Sequence, residues 1–299
     1  MSKSSFRGVW TALATPFKTD FSIDWSSYDQ LLKLQEEGGI TGVIISGTTG
    51  ETPTLSIQEK IALVKRAREV LGKSVRVMAG SGGNDTRASI ELSQQCVEAG
   101  ADSLLVVTPP YSKPSPAGLK LHFESIANAV AVPLCLYHVP GRTAQSLSVE
   151  LLASLCAISG VKAVKEASGD VAYFSRSVIK LPNTALLSGD DPTYLGSLAV
   201  GGDGVISVIT NVFPKEFVAM TKAFFDGNRE LALRYHNALL GATDAMFCEG
   251  NPGPLKAALK IMGLSQNILR APLAPVTSEN YAYIDKTLRQ TIETLKGIG

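Results

Sequence analysis

The sequence lacks the residues and segments that mark several large classes of protein. Its 299 residues include 4 cysteines and 3 histidines, and the cysteines lie far apart with no C-x-x-C pair. Neither a zinc site nor a disulfide framework is therefore expected, and the cysteines are predicted to be reduced packing residues. No stretch approaches the roughly 18 apolar residues that span a bilayer, and no apolar segment of signal-peptide type follows Met1–Arg7. These absences predict a cytoplasmic protein that does not enter a membrane.

An excess of charge of either sign is also missing. The 28 Lys and Arg residues and 27 Asp and Glu residues give a formal net charge of +1 at pH 7, so no long-range field attracts nucleic acid or an anionic membrane. With 45% hydrophobic and 18% charged residues, the chain has the composition of a globular protein, and at this length it can bury about three quarters of its surface. Any charged ligand must be recognised locally.

Short β-branched runs alternate with longer segments of helical periodicity over most of the chain. The eight predicted strands are Val9–Ala14, Gly42–Ser46, Val75–Ala79, Ser103–Thr108, Pro133–Tyr137, Val161–Lys165, Thr184–Ser188 and Gly204–Ser207. Leu104–Val107 is apolar at every position, as in a parallel strand that is covered on both faces. Eight strand-then-helix units predict an α/β protein with a (β/α)8 TIM barrel rather than an open sheet.

The predicted barrel comprises residues 1–226, and residues 227–299 are expected to form a C-terminal helical appendage of the same structural unit. The helical pattern of the appendage breaks at Gly250–Pro254 and at Ala271-Pro272. Ala14–Phe17 follows the first strand in place of a Gly-x-Gly-x-x-Gly segment, so a dinucleotide cofactor is not expected.

Lysine at the end of the sixth strand is the most informative polar residue, because a TIM barrel builds its active site at the carboxyl ends of its strands. Strand alternation places Ala163 and Lys165 on one face and Lys162 and Val164 on the other, so one of the two lysines points into the barrel. A water-poor interior lowers the pKa of a lysine, and a neutral amine attacks ketones to give a Schiff base. A buried ion pair, or a lysine that extends to the rim, is the alternative interpretation of Lys165.

Tyr137 ends the neighbouring strand at the height of Lys165, where a phenol can donate and remove the protons that Schiff-base formation needs. A tyrosine in this position can also be a packing residue. Thr48 and Thr49 follow the second strand between two glycines, which leaves open backbone amides that can hold a small carboxylate. A tight turn that merely requires glycine explains the same segment.

Arg142 follows a Pro-Gly turn after the fifth strand, and its guanidinium suits bidentate binding of a carboxylate at the barrel mouth, although a surface arginine is the simpler alternative. Asp190 and Asp191 are adjacent with no histidine nearby. They are predicted to be a helix N-cap and a first-turn acid, and no metal site is assigned.

Three segments at matching spacing carry a family resemblance. Gly42–Glu51, Tyr137–Thr143 and Val164–Asp170 resemble the dihydrodipicolinate synthase family, which belongs to the N-acetylneuraminate lyase-like class I aldolases. The resemblance covers essentially the whole chain. It implies a lyase that condenses pyruvate with L-aspartate-4-semialdehyde in the diaminopimelate route to lysine. It also implies a lysine–pyruvate imine without metal or organic cofactor, and a homotetramer built as a dimer of dimers.

The resemblance implies a catalytic role for four residues. Lys165 would carry the pyruvate imine and Tyr137 would be the general acid and base. Thr48 would link Tyr137 through its hydroxyl to Tyr111, which in this family comes from a neighbouring subunit.

The resemblance also implies a set of substrate-binding residues. The amides of Thr48 and Thr49 would hold the pyruvate carboxylate, and Arg142 would hold the carboxylate of the semialdehyde. Gly189 and Ile206 match family positions that line the pyruvate pocket.

The sequence departs from the family pattern at several positions. His138 replaces a more usual asparagine, and strand alternation points it away from the face of Tyr137. Ile57, Lys60 and Ala88 stand where lysine-inhibited members have two histidines and a glutamate, and Asn84 alone remains of that effector site. Inhibition by lysine is therefore expected to be weak or absent.

Two other functions remain open at this point. An N-acetylneuraminate lyase-like or sugar-acid aldolase would use the same lysine and tyrosine, but these relatives generally lack the second threonine and the Pro-Gly-Arg segment. Thr49 and Arg142 therefore favour the synthase. A non-catalytic pyruvate-binding protein is disfavoured, because every expected acid and base is present, although the fold alone does not exclude it.

Overall fold

Eight parallel strands close into a barrel in chain order, with the last strand paired to the first. The structure is a computed structural model that describes residues 3–298, so Met1 and Ser2 of the N-terminal segment discussed above lie outside it. The strands are β1 (Gly8–Ala12), β2 (Gly42–Ile45), β3 (Arg76–Gly80), β4 (Ser103–Val107), β5 (Leu134–His138), β6 (Val161–Glu166), β7 (Ala185–Ser188) and β8 (Gly204–Ser207). The predicted barrel is confirmed, with strand ends that differ by at most two residues.

Twelve helices are present in the described part of the chain, together with short 3-10 turns. They are α1 (Trp25–Glu37), α2 (Ile57–Leu71), α3 (Thr86–Glu98), α4 (Pro116–Ala129), α5 (Pro140–Thr143), α6 (Val149–Cys156), α7 (Val171–Lys180), α8 (Tyr194–Ala199), α9 (Pro214–Phe225), α10 (Arg229–Ala245), α11 (Gly253–Ile261) and α12 (Ser278–Lys296). The predicted capping box begins α2: the Ser56 hydroxyl accepts from the Glu59 amide, and the Glu59 carboxylate accepts from the Ser56 amide.

The strands bury both of their faces, because alternate side chains point into the barrel and toward the helices. In β4, Leu104 and Val106 join the core between strands and helices, whereas Leu105 joins the core inside the barrel. Every strand contributes to this inner core, whose members are Phe6, Trp10, Ala12, Ile44, Met78, Leu105, Cys135, Tyr137, Val139, Ala163, Ala185, Leu187 and Ile206. The interior is thus packed with side chains below the carboxyl ends of the strands.

The C-terminal helices pack beside the barrel. Helix α10 contacts α9 and α12, and α11 contacts α12. Breaks in the helical pattern occur where the sequence predicts them, between α10 and α11 and between α11 and α12. The four cysteines are free, and three of them, Cys96, Cys135 and Cys156, are buried. In residues 3–298, no helix combines the length and apolarity that crossing a membrane requires.

Candidate active site

A cavity of about 140 Å³ opens at the carboxyl ends of the strands. Its lining residues are Ala12, Ile44, Gly47, Thr48, Thr49, Leu105, Tyr137, Val139, Arg142, Lys165, Ala167, Gly189, Asp190, Val208, Phe247 and Asn251. The cavity therefore gathers six of the eight residues that the sequence nominates, and it lies where the barrel rule predicts a site.

Lys165 and Tyr137 are direct neighbours on β6 and β5, which pair in parallel with these two residues in register. The Nζ atom of Lys165 lies 4.5 Å from the centroid of the Tyr137 ring, and the two residues are only 6% and 7% exposed. Among residues 3–298, Lys165 forms no ion pair. Lys165 is thus the inward lysine, neither paired with an acid nor extended to the rim, whereas Lys162 is half-buried.

Gly189 provides the space that Lys165 needs. A β-carbon on residue 189 would lie 2.6 Å from Cβ of Ala167 and 2.8 Å from Cε of Lys165, distances that packed atoms do not reach. The amide of Gly189 donates to the carbonyl of Glu166 over 2.6 Å. Glycine is therefore required here because the end of β7 passes directly against the lysine side chain.

The turn after β2 contains two cavity-lining residues whose backbone amides have no protein acceptor within residues 3–298. Inside the turn, the amides of Gly50 and Glu51 donate to the carbonyls of Gly47 and Thr48 over 3.1 and 3.0 Å. Within the described chain, the amides of Thr48 and Thr49 donate to no protein acceptor, although both residues line the cavity. A pair of open amides of this kind can hold a carboxylate.

Arg142 lies on α5 at the mouth of the cavity, with its side chain exposed. Its Nη2 donates to the backbone carbonyl of Asn251 over 3.4 Å, and the side-chain Nδ2 of Asn251 donates to Oγ1 of Thr49 over 3.0 Å. Because most of the guanidinium donors stay open, the arginine can bind a carboxylate that enters from the mouth.

The structure does not bring Tyr111 and Ile206 to the cavity wall. Tyr111 is 91% exposed, in a loop where its φ is +66°. Ile206 is buried in the inner core, and Val208 forms the wall at the end of β8 instead. Tyr111 therefore does not line the cavity of its own chain.

His138 and Glu166 form a buried pair on the outer side of β5 and β6. Nε2 of His138 accepts from the amide of Leu147 over 3.1 Å, so Nδ1 carries the proton and donates to Oε1 of Glu166 over 3.2 Å. The same carboxylate oxygen accepts from the amide of Ser168. The expectation that His138 points away from the face of Tyr137 is confirmed.

The predicted roles of the adjacent aspartates are wrong in detail. Asp190 accepts from the amide and hydroxyl of Thr193, one residue before α8 begins. Asp191 is buried and accepts from the amides of Val208 and Ile209 over 2.8 and 3.1 Å. Burial raises the pKa of the Asp191 carboxyl. This residue therefore connects the loop after β7 to the loop after β8 rather than capping a helix.

Sequence patterns did not single out Phe247 and Asn251 as cavity residues. Both lie between α10 and α11, away in sequence from the strand ends at which a barrel builds its active site. An asparagine that is only 7% exposed needs a polar partner, but its partner, Thr49, is 202 positions away in sequence. No local pattern identifies such a contact.

A wider cleft of about 680 Å³ adjoins the cavity and shares Thr48, Tyr137 and Arg142 with it. Its outer part contains Ile57, Lys60, Asn84 and Ala88, the four positions compared above with a lysine effector site. In residues 3–298, no cluster of three or more His, Cys, Asp or Glu residues is arranged to hold a metal ion.

Comparison with known proteins gives one consistent result. The profile of the dihydrodipicolinate synthetase family matches residues 5–291. A 4-hydroxy-tetrahydrodipicolinate synthase of Methanothrix thermoacetophila is 42% identical over 286 residues, 95% of this chain and 96% of the relative. The solved synthase of Methylacidiphilum fumariolicum SolV superimposes with a TM-score of 0.95 at 36% identity and 98% coverage of both chains. The pyruvate complex of dihydrodipicolinate synthase from Acinetobacter baumannii superimposes with a TM-score of 0.93 at 36% identity, and the match covers 95% of this chain and 98% of that chain.

Proposed function

Because this chain belongs to the dihydrodipicolinate synthetase family and has its 4-hydroxy-tetrahydrodipicolinate synthase activity in lysine biosynthesis, we propose that Lys165 forms the imine with pyruvate. The observation that carries this proposal is the burial of Lys165 against Tyr137 without an ion-pair partner. A buried amine in such a place is suited to attack a ketone.

The first half of the reaction forms a nucleophile from pyruvate. The amine of Lys165 adds to the ketone, and Tyr137 donates a proton to the carbinolamine oxygen, which leaves as water to give the imine. The open amides of Thr48 and Thr49 hold the pyruvate carboxylate during this step. Because the imine is conjugated with the carboxylate, a proton on the adjacent methyl becomes acidic. The Tyr137 phenolate, which has lost its proton to the departing water, takes up this proton and gives the enamine.

The second half joins the two substrates. The enamine carbon attacks the aldehyde carbon of L-aspartate-4-semialdehyde, whose oxygen gains a proton from Tyr137, while Arg142 holds the semialdehyde carboxylate. The amino group of the semialdehyde then attacks the imine carbon and displaces the amine of Lys165. This ring closure gives 4-hydroxy-tetrahydrodipicolinate and the free lysine, with one water released in the whole reaction.

A sugar-acid aldolase would use the same first half with a different aldehyde. Two contacts support the semialdehyde instead: Arg142 at the mouth offers open donors for a second carboxylate, and Thr49 is held in place by Asn251. Both residues are those that the aldolase relatives generally lack. Turnover rates measured in solution with aspartate semialdehyde and with sugar-acid substrates distinguish the two activities.

We further propose a homotetramer, built as a dimer of dimers, in the cytoplasm. Tyr111 supports this assembly, because its 91% exposure is unusual for a tyrosine with a catalytic role and is explained if it enters a neighbouring site. Thr48 then connects Tyr137 with the partner subunit's tyrosine through its hydroxyl. We also expect residues 227–299 to belong to the same structural unit as the barrel.

Borohydride reduction in the presence of pyruvate tests the proposal. The wild-type chain should gain the mass of a reduced pyruvate adduct at Lys165, whereas Lys165→Ala should gain none and keep its thermal midpoint. Lys162→Ala is the matched control, because that lysine lies on the same strand but not in the cavity. An unmodified wild-type chain, or an adduct that persists in Lys165→Ala, would contradict the assignment.

A further inference from the structure

A fully buried ion pair lies directly behind the turn that carries Thr48 and Thr49. The Nζ atom of Lys256, on α11, is 2.8 Å from Oε1 of Glu51, and both side chains are 0% exposed. Glu51 is the last residue of the turn and has left-handed backbone angles, φ 58° and ψ 38°. A non-glycine residue in this region is strained and persists only where its surroundings hold it.

The ammonium group of Lys256 joins three separate parts of the chain. It donates to the carbonyl of Thr15, in the loop after β1, over 2.6 Å and to the carbonyl of Ile268 over 2.9 Å. The second carboxylate oxygen of Glu51 accepts from the amide of Arg270 over 3.1 Å. The ion pair therefore fastens the turn after β2 to the loop after β1 and to the C-terminal segment.

A second contact reaches the same turn from the same segment. Asn251 donates its side-chain amide to the hydroxyl of Thr49 inside the cavity wall, while its backbone carbonyl accepts from Arg142. Asn251 thus contacts the middle residue of the five-residue turn Gly47–Glu51 and Lys256 contacts its last residue, although neither belongs to the barrel strands.

We infer that Asn251 and the Glu51–Lys256 ion pair are positioning residues that fix the Thr48 and Thr49 amides in the geometry that binds the pyruvate carboxylate. This inference rests on the proposed function of those amides. Burying two charges is costly before they pair, and replacement of a buried ion pair by apolar residues is often neutral for stability. Stability of the fold alone therefore does not account for the pair. Its contacts instead hold the turn after β2 in one defined geometry.

Asn251→Ala tests the inference, because it removes the donor to Thr49 and keeps the backbone carbonyl that Arg142 uses. The loss of one buried hydrogen bond, about 1 kcal/mol, predicts a pyruvate KM about 5-fold higher. The kcat at saturating pyruvate and the KM for the semialdehyde should stay within about 2-fold, since Lys165, Tyr137 and Arg142 keep their contacts. Asn228→Ala is the matched control: Asn228 caps α10 through its side chain, so its loss should lower only the thermal midpoint.

A double-mutant cycle shows whether Asn251 acts through Thr49. Thr49→Val removes the hydroxyl and keeps the amide, so it should raise the pyruvate KM as Asn251→Ala does, and the double variant should raise it no further. If the increases in pyruvate KM of the two single variants multiply in the double variant, Asn251 does not act through the Thr49 hydroxyl. The charge-neutral variant Glu51→Gln with Lys256→Met examines the ion pair separately and should also raise the pyruvate KM without changing that of the semialdehyde.

Borohydride trapping at varied pyruvate concentration separates failure of this inference from failure of the proposed function. If the wild-type chain traps pyruvate and the folded Asn251→Ala and Glu51→Gln/Lys256→Met variants trap it with unchanged half-saturation, the positioning role is overturned while the imine mechanism stands. If the wild-type chain traps no pyruvate, the proposed function and the inference both fail.

Discussion

Gly189 and Lys165 approach so closely that a β-carbon on residue 189 would lie 2.8 Å from Cε of the lysine. Gly189→Ala should therefore push the lysine side chain from its position beside Tyr137. We expect the rate of borohydride-trapped imine formation to fall about 5- to 150-fold, because an added methyl group in a packed site costs about 1–3 kcal/mol.

Gly196→Ala is the control for this change. Its β-carbon would meet only Val171, at 3.6 Å or more, and it lies in α8, where alanine is favoured over glycine. Imine formation should match that of the wild-type chain in this variant. Equal trapping by Gly189→Ala and Gly196→Ala would show that the close approach at residue 189 has no effect on the lysine.

Arg142→Ala should separate the two substrates. Imine trapping with pyruvate should be unchanged, while kcat/KM for the semialdehyde should fall by about 10- to 100-fold, the effect of losing a charge-assisted hydrogen bond of about 1.5–3 kcal/mol. Arg289→Ala, which removes an exposed arginine paired with Asp285, is the control and should change neither value. Unaltered steady-state constants for the semialdehyde in Arg142→Ala would remove this arginine from the site.

Tyr111 should act in a neighbouring subunit. Tyr111→Phe is expected to lower kcat by about 100-fold, as the loss of a proton-relay group does, although the side chain is almost fully exposed. Co-expression of Tyr111→Phe with Lys165→Ala should give mixed oligomers that are far more active than either variant alone, because one site then holds both wild-type residues. Mixed oligomers as inactive as their parents would place Tyr111 outside the partner's site.

Lysine should inhibit this enzyme weakly or not at all. The structure brings Ile57, Lys60, Asn84 and Ala88 together along the wide cleft, so a lysine ligand there would face a like-charged side chain and an apolar one. Millimolar L-lysine should leave the initial rate nearly unchanged, with L-norleucine as the control for non-specific effects. Strong inhibition by submillimolar L-lysine would refute this prediction.

The free energy of unfolding should fall in acid as the Glu59 carboxylate becomes protonated. The Arg270 guanidinium donates to this carboxylate and, with the capping contacts of Ser56, lowers the pKa of Glu59 from 4.5 to about 2. A lowered pKa stabilises the folded chain above about pH 4.5, and this contribution is lost as the pH falls toward 2. Glu59→Gln should lower the free energy of unfolding by about 2 kcal/mol at pH 7, a value that is discounted for the partial exposure of the pair. The loss should be smaller at pH 3.

Thermal midpoints between pH 7 and pH 3 test this dependence. The difference in thermal midpoint between the wild-type chain and Glu59→Gln should become smaller as the pH falls. Glu293→Gln is the control, because Glu293 pairs with Lys296 on an exposed face and should contribute little at any pH. A difference in thermal midpoint that stays constant between pH 7 and pH 3 would contradict the assignment of the stabilisation to the ionised carboxylate of Glu59.

The sequence by itself determined the eight strands, the barrel and the residue types at the strand ends. These features follow from local patterns: apolar runs of 4 to 6 residues such as Leu104–Val107, the capping box at Ser56, and helical periodicity between strands. Because a barrel places all strand ends at one rim, Lys165 and Tyr137 could be expected in one site before any contact was known.

Only the tertiary structure decided which of the two lysines faces inward, why residue 189 must be glycine, and that Tyr111 and Ile206 do not line the cavity. It also showed that Asn251 and Lys256 reach the Gly47–Glu51 turn from 202 and 205 positions away in sequence. Periodicity reports which face of a strand or helix a residue occupies. Contacts between distant segments depend on how the barrel closes and where the C-terminal helices pack, and no local pattern records either.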